Sequence, residues 1–108
     1  MSTLPATLPV IDIAADVEAH VRARAVEAVY RHTLESVPRL FPTFRSLHVT
    51  IEPDPEIEDY TFIVFRVRVA VEDVPEYLAA DRLWLRDHMA AYPVVTEPFV
   101  LSLIRELE

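Results

Sequence analysis

The side chains in this chain that can move protons, hold metals or clamp anions are four histidines, ten arginines and eighteen acids. His20, His32, His48 and His88 form no H-x-H, H-x-x-x-H or H-E-x-x-H arrangement, and no cysteine is present to complete a zinc set. Asp16 and His20 stand four apart on a helical pattern, which suits a solvent-facing contact better than a metal centre. Arg66 and Arg68 alternate along one strand-like segment, where two guanidiniums on the same face can grip a carboxylate or phosphate. His48, brought close to Arg66 across a hairpin, would complete a small anion pocket of His48, Arg66 and Arg68. Cross-strand pairing of those arginines with Glu52 is the competing expectation.

Two further constellations invite a functional reading. Glu52, Asp54, Glu56, Glu58 and Asp59 crowd one loop, but the loop lacks the glycine of a calcium-binding turn and holds two prolines. It reads as a solvated acidic tip able to meet a basic surface. Tyr77, Asp81, Trp84 and His88 follow i, i+4, i+7, i+11 and share one helix face. That stripe is either a polar-aromatic interface or the edge of a core stripe with Trp84 buried. Asp81 and His88 lie about 10 Å apart along such a helix, too far for direct acid–base contact.

Absence narrows the chemistry. The sequence has no glycine, lysine, asparagine, glutamine or cysteine. Phosphate-cradling loops need glycine, and a Schiff base needs lysine. Ser36, Ser46 and Ser102 stand outside any nucleophile elbow. No catalytic residue, cofactor or metal is expected, and an enzyme is the less favoured class. Residues 51–108 carry thirteen acids against five arginines, the whole net charge of −8, while residues 1–50 balance. Nucleic acid requires clustered positive charge and is not expected as a partner. No apolar run approaches the roughly 18 residues of a membrane span, and no signal peptide is visible, so a cytoplasmic location is expected.

The elements that must position these groups are punctuated by nine prolines. Residues 1–11 read as an N-terminal extended arm ahead of a single domain at 12–108, with Leu4, Leu8 and Val10 available to cover a sheet face. Asp12 is placed to cap a helix running to about Ser36, which Pro38 ends. Leu47, Val49 and Ile51 alternate with His48, Thr50 and Glu52, and a longer strand covers Tyr60 to Val71. Asp73 and Glu76 form a capping box for a second helix reaching Tyr92, with Val74, Leu78, Leu85 and Met89 as its core stripe. Pro93 stops that helix. Phe99 to Ile104 reads as a buried strand, a helix capped by Thr96 being the alternative.

The expected fold class is α+β. It is a single two-layer sandwich of order α-β-β-α-β, a small three-stranded sheet with two helices on one face and a right-handed crossover. Such a sheet leaves Phe62 and Val64 on an uncovered face, which favours a homodimer through that face or along a strand edge. The function expected is a non-enzymatic small acidic interaction module, homodimeric and binding a basic protein, in the way an antitoxin or immunity-type inhibitor covers a toxin. The alternative is a small anionic-ligand binder or minor enzyme using His48, Arg66 and Arg68.

Overall fold

The computed structural model of the chain describes residues 9–91 and 99–107. Seven elements follow one another: β1 (Val10–Ile13), α1 (Val17–Ala23), α2 (Glu27–Leu40), β2 (Ser46–Pro53), β3 (Thr61–Ala70), α3 (Tyr77–Ala91) and β4 (Phe99–Glu106). The sheet has four strands in the order β1-β2-β3-β4, parallel at both outer pairs and antiparallel at the central hairpin. This corrects the three-stranded α-β-β-α-β expectation while keeping the α+β class. The added strand is the tail of the supposed arm. Ile11 and Ile13 alternate with Val10 and Asp12, and the segment pairs with Ser46–Val49. Asp12 is thus a strand residue and caps no helix. Leu4, Leu8, Pro93 and Thr96 lie outside the described residues.

The first helix is two helices. α1 ends in a Schellman turn: the Val26 amide donates to the Val21 carbonyl and the Ala25 amide to that of Arg22, both at 3.1 Å. Ala25 takes φ 57°, a left-handed conformation that usually falls to glycine, so nothing in its residue type announced the break. Val21 and Val26, the two apolar residues that flank such a turn, are both buried. Pro38 does not end α2. It sits inside the helix, which runs on to Leu40 without the amide that would have bonded Leu34, and Phe41 donates to Val37 at 2.8 Å.

The odd-numbered strand residues make the core. Leu47 pairs with Val67 and then Leu103, and Val49 with Phe65 and then Leu101, giving apolar rows across three strands. Val49, Ile63, Phe65 and Val67 are fully enclosed, each worth roughly 1.5–3 kcal/mol of burial. Val17, Val21, Tyr30 and Val37 reach this layer from α1 and α2, and Trp84 reaches it from α3. All three helices therefore lie on one sheet face. β1 to β2 and β3 to β4 step the same way across that face with reversed strand direction, so the two crossovers have opposite hands. One of them is the uncommon left-handed form.

α3 corrects the expected core stripe. Val74 is buried, but Leu78, Leu85 and Met89 are 65%, 51% and 45% exposed, whereas Trp84 and His88 are buried. A large aromatic offers more area than leucine, so the helix turns Trp84 inward. The helix also starts later than the capping box implies. Asp73 accepts a 2.8 Å hydrogen bond from Thr43, and Tyr77 is the first helical residue. Arg105 of β4 holds the approach to α3, donating to the Pro75 carbonyl at 3.1 Å and lying over the Tyr77 ring.

Candidate functional site

The sheet face away from the helices carries the anion-pocket residues, and the register brings them together. Asp12, His48, Arg66 and Ser102 form one row across all four strands. The guanidiniums, however, are already engaged. Arg66 sits 2.6 Å from the Glu52 carboxylate and also donates to Thr50, whose hydroxyl donates to Glu52 at 2.8 Å. The Thr50 hydroxyl, and then Arg66, hold the Glu52 carboxyl below its usual range. Arg68 pairs with Glu106 at 3.1 Å, an acid it shares with Arg45. His48 Nδ1 lies 3.4 Å from Asp12. Carboxylates of the same chain thus stand where an external anion would bind, as the strand-pairing expectation had it. Phe62 is half-buried on this face with Tyr60 edge-on at 5.2 Å, and Val64 is buried.

The acidic loop is ordered from within. Asp54 Oδ1 accepts from the amides of Glu56 at 2.7 Å and Ile57 at 2.9 Å, while the Asp54 amide donates to the Tyr60 carbonyl. Asp59 supplies the left-handed position, φ 61°, that aspartate tolerates better than most residues. Glu52 faces the sheet and Asp54 holds the turn. Of the five acids, Glu56, Glu58 and Asp59 remain exposed at the tip. No group of three metal-ligating side chains occurs among the described residues.

The Tyr77, Asp81, Trp84, His88 face points inward, so Trp84 and His88 do not offer their rings to a partner. His88 stacks on Trp84 at 5.5 Å with 6° between the planes, and lies 5.4 Å from the Phe99 ring. Thr33 Oγ1 donates to the Val29 carbonyl at 2.8 Å, which leaves its lone pair for His88 Nδ1 at 3.4 Å. In that pair His88 Nδ1 is therefore the donor. Burial lowers its pKa, assisted by His32 and opposed by Asp87.

The carboxylate that does orient a histidine is Asp87, which the sequence reading passed over. Asp87 receives both Arg39 nitrogens, at 2.8 and 3.0 Å, and His32 Nε2 at 3.1 Å. Arg39 holds its carboxyl below the ordinary range, with His32 adding to the effect. His32 and Arg39 are seven apart on α2 and share one side of it, which was the available signal. This network is a clamp between α2 and α3; it contains no free nucleophile.

Asp87 also orients α3 as a whole. Leu78, Leu85 and Met89 lie roughly half a turn from it, at 100° per residue, and so face away from α2. On that side the sheet ends at β4, whose outer edge pairs with no other strand among the described residues. An apolar helix stripe and an open strand edge thus border the same flank. Compared with known proteins, the chain matches no family model, no curated protein and no solved structure.

Proposed function

We propose that this chain is a non-enzymatic interaction module that works as a homodimer, the second copy docking along α3 and β4. The observation that carries the reading is the outward stripe of Leu78, Leu85 and Met89 beside the open β4 edge. An edge of eight residues that pairs with no further strand among the described residues, uncharged from Phe99 to Ile104, is a template for another strand unless something covers it. β1, the opposite edge, has four residues, one of them Asp12.

A second copy suits this flank better than a basic protein does, because the flank is neutral. Tyr77–Ala91 holds two acids and two arginines, and Phe99–Glu106 one of each, so the net −8 resides elsewhere. An isologous antiparallel pairing centred on Ser102 sets Val100 opposite Ile104 and Leu101 opposite Leu103. Every side chain keeps the face it already occupies, and both helix layers stay on one side. The acidic tip of Glu56, Glu58 and Asp59, on the hairpin between β2 and β3, is left open for a basic protein partner.

Light scattering after gel filtration tests the dimer. The wild type is expected at twice the chain mass, Leu85→Glu at the chain mass, and Phe62→Glu, on the open sheet face, at twice. A monomeric wild type, or a dimer that survives Leu85→Glu and fails in Phe62→Glu, overturns the assignment.

A further inference from the structure

The Schellman turn at Ala25 folds α1 back against α2, and the angle between them holds a cleft of about 500 Å³. That volume lies within the range of small-molecule sites, about 300–1,000 Å³. Glu18 and Arg22 line it from α1, Glu27 and Arg31 from α2. Both acid–arginine pairs have i,i+4 spacing that favours an ion pair on an isolated helix. Neither pair forms one, and none of the four side chains makes an ion pair among the described residues. Val21 and Leu34 give the cleft an apolar part, and Tyr30 contributes to its wall.

Tyr30, in the wall, is itself buried. Only 8% of the residue is exposed, and its hydroxyl is buried with no hydrogen-bond partner. Leaving such a group unsatisfied costs roughly 1–3 kcal/mol. Burial raises its pKa, with the nearby Glu18 carboxylate adding to the rise, so the phenol is a neutral donor lacking an acceptor. The open sheet face offers nothing comparable, since its arginines are spoken for.

We propose that this cleft binds a small zwitterion of the free amino-acid class. Two guanidiniums and two carboxylates around one opening match a ligand that carries one carboxylate and one ammonium. A simple anion or cation would leave one of the two sets facing a like charge. Arg22 and Arg31 take the ligand carboxylate, Glu18 and Glu27 take the ammonium, and Val21 with Leu34 receives an aliphatic side chain.

The test is a titration of the full chain with the free L-amino acids one at a time, followed by amide NMR shifts and calorimetry. At least one aliphatic amino acid is expected to bind saturably, with the shifts centred on Glu18–Leu34. The exposed double variant Arg22→Ala/Arg31→Ala should weaken binding roughly tenfold or more. Binding should persist in Leu85→Glu, which separates this site from the dimer interface. No saturation across the panel, or an affinity unchanged in the double arginine variant, overturns the proposal.

Discussion

The two halves of the sheet face the same task, carrying the chain from one strand to a parallel neighbour, and they build it differently. The first half, β1 to β2, uses two helices hinged at Ala25 and ends at a short edge strand. The second half, β3 to β4, uses one helix, Tyr77–Ala91, and ends at a long apolar edge. Hinged helices enclose a charged cleft. A single helix cannot cover both the sheet and its own far side, and it leaves Leu78, Leu85 and Met89 outside. The difference is between a half whose helices enclose a cleft and a half that leaves an apolar helix stripe exposed.

The contrast within α3 can be broken most directly at Trp84. Trp84→Ala removes the side chain that binds the second half to the core and should cost about 3–5 kcal/mol in urea unfolding. Leu85→Ala, one residue on, should change the stability of the monomer by no more than about 0.5 kcal/mol. Equal losses at the two positions would mean that α3 does not have an inner and an outer face.

Acid should open the seam where the halves meet. His88 has a folded pKa below its free value of 6.5, so the unfolded chain binds its proton first. Stability therefore falls as pH drops below about 6.5 and stops falling below the folded value. Asp87, held below its free value of 3.8, contributes stability that is present above that pH and lost as pH falls through its folded value. Urea midpoints should decline in those two windows. His88→Gln should flatten the first and Asp87→Asn the second. A midpoint that rises on acidification would contradict both assignments.

The smallest expected effect tests the hinge of the first half. Ala25→Gly relieves a left-handed alanine, worth about 1–2 kcal/mol, against an entropic loss of about 0.4–1 kcal/mol in the unfolded chain. A net gain of roughly 0.5–1 kcal/mol in urea unfolding is expected, and Asp59→Gly should gain less. A loss at Ala25 would show that the turn is not strained there.

The central hairpin was legible because alternation is a direct physical signal. Leu47, Val49 and Ile51 fell on the core face, and His48 came opposite Arg66. β1 carries the same signal over four residues, Val10 to Ile13, too few to stand out beside two nearby prolines. The break at Ala25 was invisible, since no glycine, asparagine or proline marks it. Pro38 misled in the other direction, a breaker retained inside a helix. In α3 two stripes share one helical wheel, and only packing against Phe99 and Thr33 selects the one with Trp84 and His88. The cleft was the least legible feature, because the i,i+4 spacing of Glu18–Arg22 and Glu27–Arg31 is that of ordinary helix-surface pairs, and only the turn at Ala25 sets them around one opening.

The strand order has a consequence for how the chain comes together. Each strand neighbours the strand next to it in sequence, so none must be threaded between two that are already paired. The β2–β3 hairpin can form from local contacts, and each crossover can then lay down its outer strand without waiting for the other. The same logic runs backwards on opening: β1 and β4 can peel away separately while the hairpin keeps its hydrogen bonds. Slow amide exchange should therefore concentrate in Leu47–Ile51 and Ile63–Val69, with protection falling off towards both outer strands.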